Sequence, residues 1–379
     1  MVDFDLSEEH EALVQTARRF TAERITPLAA QCDREARLPM DVFEQAWKIG
    51  LVGSTCPAEY GGAGLGALAS ALIAEELAYG CTGIQASLLA NGLALTPIKL
   101  AGNEEQKRKY LGMLTSEPVL ASYAATEPGA GSDVAGITTR FRRVGDAYVL
   151  DGQKSWITNA SHARWFVIFA TRDAKLRREG IAAFIVDRDS AGLRVGKRHD
   201  KLGQCASDTA PVWLEQVVVP KANLLAPEGR GFELATETFD QTRPDIGAAA
   251  VGLMRRALDE CTSYARERKT FGVPIGQHQL VAAMIAEMAV RVEATRLLVH
   301  KAAWNVDRGV RDSIVSSLAK VFGTDSAMAT AVDAVQVFGG NGYVKDYPVE
   351  KLLRDAKVLQ THEGTSQVGR LVIARQLLG

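Results

Sequence analysis

A chain of 379 residues, 47% hydrophobic and 23% charged, has ordinary globular composition and is long enough for two or three packed domains. A formal charge of -1 without a long basic run excludes nucleic acid as the main ligand. No stretch approaches the ~20 uninterrupted apolar residues of a membrane span, and the acidic start Met1-Val2-Asp3-Phe4-Asp5 fits neither a secretory signal nor an Arg-rich transit peptide, so a cytoplasmic protein without membrane insertion is expected. The five cysteines, Cys32, Cys56, Cys81, Cys205 and Cys261, are odd in number and scattered; they form neither a metal spacing nor a disulfide framework, and reduced thiols with no metal are expected.

Residues 1–118 read as an N-terminal helical domain. Ser7 is placed to cap a first helix with Leu13, Val14, Ala17 and Phe20 on one side, and Asp41 to cap another carrying Val42, Phe43, Ala46 and Trp47. The Gly-rich loop from Pro57 to Gly66 resembles a dinucleotide fingerprint, but no strand precedes it, which argues against a Rossmann site. A further helix from Ala67 to Tyr79 leads to Gln85 and Leu89. Residues 119–226 change to a strand-like period: Ala147–Leu150, Trp165–Ala170, Ile181–Val186 and Val212–Val219 are short apolar or alternating runs between turn residues. Such spacing leaves no room for crossover helices and predicts an antiparallel, barrel-like sheet. Residues 227–379 are helical again, with a stripe of Leu280, Met284, Met288 and Val292 and helices long enough for a four-helix bundle. The fold class is α+β, mostly α.

Chemistry concentrates in three segments. Tyr347 to Arg354 starts one amphipathic helix, with Pro348 in its first turn, and Thr365 caps a last helix whose apolar face is Val368, Leu371 and Val372. Glu363 stands alone on the turn between them: it is either a solvated loop glutamate or, if it points into a cleft, a carboxylate whose desolvation raises its proton affinity to that of a base. In Thr126-Glu127-Pro128-Gly129-Ala130-Gly131-Ser132-Asp133, hydroxyls and bare glycine amides suit a flat polar ligand that approaches the backbone closely, or form a plain loop. Trp156 and Thr158, two apart on an expected strand, share one face and would present an indole beside a hydroxyl.

Taken together, Tyr123 to Asp133, Gly152 to Asn159, Arg268-Lys269-Thr270-Phe271-Gly272, Gln336 to Gly342 and Asp355 to Gln367 resemble, in order and over nearly the whole chain, the signatures of acyl-CoA dehydrogenases, nearest the medium-chain type. The resemblance implies a helix–sheet–helix layout and an FAD-dependent α,β-dehydrogenation of a saturated acyl-CoA in fatty acid β-oxidation. It also implies electron transfer to an electron-transferring flavoprotein and a homotetramer built as a dimer of dimers. Glu363 is then the catalytic base. Tyr123, Ala125, Thr126, Gly131, Ser132, Trp156 and Thr158 match positions around the flavin ring; Arg268, Thr270, Phe271 and Gln279 match those at the FAD pyrophosphate and adenosine. Gln336, Gly339 and Gly340 match a cofactor patch given by a neighbouring subunit, and Thr365 and Gln367 sit at a helix N-terminus that favours an anion. Ser132, Asp240, Arg243, Gly364, Gln85, Leu89 and Asp245 match substrate-facing positions, with Arg243 able to reach a phosphate of the CoA.

Thr242 occupies the place from which branched- and long-chain relatives supply their glutamate, and threonine takes no proton there. Three residues depart from the medium-chain pattern: His362 replaces Tyr, Leu89 replaces a carboxylate near the bottom of the acyl pocket, and Asp245 replaces an apolar residue; each is open to a reading as neutral repacking, and His362 alternatively could tune the adjacent base as a titrating imidazole. Asp245 either caps a helix after Pro244, the favoured expectation, or lines the cleft and selects a polar or cyclic acyl group. The alternatives are an acyl-CoA oxidase or desulfinase on the same scaffold, and a non-enzymatic acyl-CoA-binding protein.

Overall fold

The computed structural model describes residues 5–379, so the reading of Met1 to Phe4 lies outside the described residues. The chain begins with helices α1 (Glu8–Phe20), α2 (Ala29–Arg34), α3 (Met40–Lys48), α4 (Ala67–Gly80), α5 (Thr82–Ala101), α6 (Glu104–Gln106) and α7 (Gly112–Ser116). Ser7 caps α1, accepting from the His10 N–H at 3.3 Å, and Ala17 and Phe20 are buried. Asp41 is not a cap. Helix α3 starts one residue earlier, after Pro39, so Asp41 sits inside the first turn, where its charge complements the helix dipole.

Eight strands follow: β1 (Leu120–Ala124), β2 (Arg140–Val144), β3 (Ala147–Thr158), β4 (Ala163–Thr171), β5 (Ile181–Asp187), β6 (Leu193–Val195), β7 (Thr209–Pro220) and β8 (Leu224–Ala226). They form one sheet in the order β6-β7-β3-β2-β4-β5-β8, with β1 on β4. The period of two separates two cores along β4. Trp165, Val167 and Phe169 face Leu95 and Ile98 of α5, while Phe166, Ile168 and Ala170 join Phe141, Leu150, Phe184 and Val217 inside the curled sheet. The expectation of a wholly antiparallel sheet is corrected: β1 pairs with β4 in parallel, and β2 touches β4 in parallel at Arg140–Thr171. Short spacing forbids crossovers only between consecutive strands, and here the β2–β3 hairpin itself separates β1 from β4.

The last section contains α8 (Gly231–Glu267), a two-residue hairpin of β9 (Lys269–Thr270) and β10 (Val273–Pro274), α9 (Gln279–Asp307), α10 (Ser313–Phe338), α11 (Val349–Leu359) and α12 (Ser366–Leu378). One apolar core joins α8, α9, α10 and α11, and α4 enters it through Ala71, Ala74 and Ala78. The approach of α4 to α8 is so close that a Cβ on Gly252 would lie 2.2 Å from the Glu75 carbonyl. The buried carboxylates of Glu75 and Glu76 are matched across that contact by Arg255, at 2.8 Å from each, with Arg296 and Arg18 completing the cluster. In the α9 stripe Met288 and Val292 are buried, but Leu280 is 81% exposed, because the first turn of α9 overhangs the core. No helix among the described residues is long and apolar enough to cross a membrane.

Candidate active site

A cavity of about 1390 Å³ opens where the sheet meets the bundle, larger than the few hundred to ~1,000 Å³ typical of a site for one small ligand. Of the residues singled out in the sequence, Gln85, Leu89, Tyr123, Ala125, Thr126, Gly131, Ser132, Trp156, Thr158, Asp240, Arg243, Asp245, Glu363, Gly364 and Thr365 line it. Arg268, Thr270, Phe271, Gln279, Gln336, Gly339, Gly340 and Gln367 do not.

Glu363 reaches the cavity because α11 ends in a tight turn. The N–H groups of Thr361 and His362 both return to the Val358 carbonyl, and Thr365 then caps α12 by accepting from Val368 at 3.1 Å. Between these helices Glu363 is left-handed at φ 50°, followed by Gly364 at φ 90°. A non-glycine residue there costs on the order of 1–3 kcal/mol and persists only where neighbours hold it. Two buried cations do so: Lys320 Nζ donates to the Gly364 carbonyl at 2.6 Å, and Arg243 Nε to the Glu363 carbonyl at 3.3 Å. The Glu363 N–H donates to no protein acceptor among the described residues.

The carboxylate itself accepts from Thr242 Oγ1 at 2.8 Å. Burial pushes Glu363 up to about 7, against the opposing Thr242 bond and the charges of Arg243 and Lys320. Arg243 does not neutralise it, because its Nη1 pairs with Asp240 at 3.1 Å. Asp240 is in turn saturated by Arg311 and Ser313. The expectation that Arg243 reaches a phosphate is therefore corrected: its guanidinium is buried and holds the turn that carries Glu363. Of the two readings of His362, tuning of the base by titration is the one its surroundings oppose. Its Nε2 is buried without a partner, and burial together with Lys320 lowers the ring to about 3, so it stays neutral and cannot tune the base by titrating near neutrality. Asp245 is not a cap either, since Pro244 lies inside α8 and no helix begins there.

The opposite wall comes from β1 and β3. Glu127, within the Thr126–Asp133 turn, accepts from Thr138 and Thr139 and pairs with the fully buried Lys154 at 2.8 Å, while Lys154 also donates to the Ala125 carbonyl. This pair fixes the turn onto β3 and keeps the Glu127 carboxylate well below its usual range, chiefly through Lys154 acting against burial. Trp156 and Thr158 both line the cavity, but not by simple alternation: a register shift lies between Lys154 and Ile157, and Trp156 adopts φ 62°. The Trp156 ring is 58% exposed and stacks on His199 at 4.4 Å. The Tyr123 hydroxyl is buried with no partner, and a Cβ on Gly131 would meet nothing nearer than Thr126 at 4.0 Å.

A second cluster lies away from this cavity. Phe271 and Gly272, at φ 51° and 84°, turn the β9–β10 hairpin and leave the Phe271 ring 98% exposed. Arg268 is exposed with no acidic partner among the described residues, and Gln279 opens α9 nearby. Gln336, Gly339 and Gly340 are exposed at the end of α10, where an added Cβ on either glycine meets nothing within 4 Å. Lys320, Lys154 and the donor role of Thr242 escaped the sequence reading. The lone lysine in the apolar run from Val315 to Phe338 was the one signal for Lys320.

Comparison with known proteins decides the family. Models for the N-terminal, middle and C-terminal domains of acyl-CoA dehydrogenase match residues 7–118, 122–217 and 229–378. The chain belongs to the acyl-CoA dehydrogenase family. It is a flavoprotein oxidoreductase acting on a CH–CH group in fatty acid metabolism, and its cofactor is FAD. It is 43% identical to a probable medium-chain specific acyl-CoA dehydrogenase 2, mitochondrial, of Caenorhabditis briggsae, covering 100% of this chain and 92% of that one. It is 41% identical to a cyclohexane-1-carbonyl-CoA dehydrogenase of Geobacter metallireducens over 99% of both. The solved butyryl-CoA dehydrogenase from Megasphaera elsdenii superposes with a TM-score of 0.97 at 34% identity, covering 100% of both chains.

Proposed function

We propose that the cavity takes FAD and an acyl-CoA together and that the enzyme converts a saturated acyl-CoA to its trans-2-enoyl-CoA, with Glu363 removing the α proton. The observation that carries this reading is the Glu363 carboxylate, cavity-facing, bonded to Thr242 and raised to about 7. A carboxyl of that affinity is ionised in part at neutral pH and binds an abstracted proton far better than a solvated one. Its unpaired N–H is available to the thioester oxygen, where negative charge develops as the α proton leaves. FAD supplies the acceptor for the β hydride when bound.

Tyr123, Ala125, Thr126, Gly131, Ser132, Trp156 and Thr158 would hold the flavin ring; the partnerless Tyr123 hydroxyl and the open space at Gly131 support this. Arg268, Thr270, Phe271 and Gln279 would hold the pyrophosphate and adenosine. Gln336, Gly339, Gly340, Thr365 and Gln367 would complete the site. A homotetramer sharing cofactors between subunits accounts for two clusters that one chain keeps apart, and the exposed Phe271, Leu280 and Tyr343 supply apolar contact area. Electron-transferring flavoprotein is the acceptor that the motif resemblance supports, and five free cysteines agree with a reducing, cytoplasmic setting.

Anaerobic mixing with a panel of acyl-CoAs, followed through flavin absorbance, tests the reading. Glu363→Gln is expected to keep FAD and acyl-CoA bound while reduction slows by a factor on the order of 10² or more. Near-normal reduction by the variant would remove Glu363 from the mechanism.

A further inference from the structure

Asp245 is a cavity carboxylate with no part in that reaction. Asp245 lies on α8 three residues beyond Thr242, a rise of about 4.5 Å. Residues along α8 order the cavity from rim to interior: Phe232 stands by the exposed Arg178, Thr242 touches the base, and Asp245, Ile246 and Ala249 follow. Leu89, Ala90 and Leu93 of α5 line the same cavity, and Leu89, Ile246 and Ala249 pack with the bundle core, which gives the inner end beside Asp245 a mainly apolar wall. Asp245 Oδ2 accepts from Ser70 Oγ at 2.9 Å, whereas Oδ1 has no donor among the described residues.

We propose that Asp245 makes this inner end a hydroxyl-recognising subsite, so that the preferred acyl chain carries a hydroxyl about one helical turn beyond the carbons that react. The inference deepens the dehydrogenase reading and rests on it. A plain alkyl chain expels water and leaves Oδ1 desolvated and unpaired, whereas a chain hydroxyl replaces the lost donor. Burial, reinforced by the charge of Glu363, raises Asp245 to about 7 despite the Ser70 bond. A hydroxyl serves both protonation states, donating to the carboxylate or accepting from the acid; an ammonium group needs the full negative charge. A site that hydrogen-bonds a substrate hydroxyl rejects the analogue lacking it, because the protein's own group is then left unpaired.

The competing role is structural, with Asp245 and Ser70 merely tying α8 to α4. Holoenzyme kcat/KM for flavin reduction is measured anaerobically with hexanoyl-CoA, 5-hydroxyhexanoyl-CoA and 6-hydroxyhexanoyl-CoA, in the wild type, Asp245→Val and Asp245→Asn. The wild type is expected to favour one hydroxylated thioester by about tenfold or more. Asp245→Val loses or reverses that ratio while its hexanoyl-CoA rate rises, and Asp245→Asn keeps part of the preference. A wild type that oxidises hexanoyl-CoA and shows no preference for either hydroxylated chain overturns the subsite alone. So does a valine variant slowed equally on all three. If the valine variant does not fold, the wild-type ratio and its change in Asp245→Asn decide. If no acyl-CoA bleaches the wild-type flavin, the dehydrogenase reading falls and the subsite with it.

Discussion

Replacing Thr242 with valine deletes one hydroxyl at nearly constant shape. That hydroxyl lies 2.8 Å from Glu363 Oε2 and 3.2 Å from the Thr238 carbonyl; its single proton serves the shorter contact, to the charged acceptor. A hydrogen bond to a charged group is worth about 1.5–3 kcal/mol, and one pKa unit corresponds to about 1.4 kcal/mol, so its loss moves Glu363 by about one unit once half-burial is allowed for. The bond favours the ionised form, so deletion raises Glu363 from about 7 to roughly 8. At pH 7 the ionised fraction falls from about half to about a tenth, and the rate falls about fivefold with it. Above pH 9 the variant recovers. The assay is the first-order rate of flavin reduction at saturating acyl-CoA across pH, in anaerobic rapid mixing. Stability carries the same sign: folded Glu363 holds its proton more tightly than the unfolded chain, so the protein loses stability as pH rises from the ordinary carboxylate range to about 7, and the variant over a wider window. An unmoved midpoint, or a rate lowered equally at every pH, refutes the argument.

Two further outcomes follow from the buried ion pair and the second cluster. Lys154→Met strands the Glu127 carboxylate in a buried site and is expected to cost about 3–5 kcal/mol of unfolding free energy in urea titration, with Glu127→Gln in the same chain restoring most of it; a single variant within about 1 kcal/mol of wild type contradicts the clamp. Arg268→Ala is expected to lower FAD retention and loosen the oligomer together, read by flavin content and sedimentation on one sample, whereas full FAD content in an intact assembly argues against a shared site.

Helix ends and buried faces were legible because their causes are local. Ser7 and Thr365 cap where a hydroxyl precedes an amphipathic run, and β4 declares itself by an apolar stretch buried on both faces. The parallel β1–β4 pairing was not, since its cause is a hairpin interposed between two strands. The exposure of Leu280 was not either, because a stripe marks one helix face without saying where the partner helix ends.

The site divides along the same line. Motif resemblance pointed to Glu363, but the properties that suit it to the proposed role of base come from groups far away in the chain. Thr242 is 121 residues distant and Arg243 is 120, each bonding Glu363 itself, while Lys320 bonds the Gly364 carbonyl from 44 residues away, across helices that meet only in the fold. Arg243 reads as a phosphate ligand until Asp240, a neighbour on the same helix, takes its Nη1 and the Glu363 carbonyl takes its Nε. Asp245 reads as a cap after Pro244 until α8 runs straight through the proline and Ser70, 175 residues away, holds one carboxylate oxygen. In each case the residue type limits what the group can do, and its desolvation and its partners decide which of those things it does. Glu363 and Asp245 make the point within one cavity: both are carboxylates raised to about 7 chiefly by burial, yet one sits beside a free backbone N–H and a hydroxyl donor, as the proposed base requires, and the other has one oxygen held by Ser70 and one unpaired, as the proposed subsite requires.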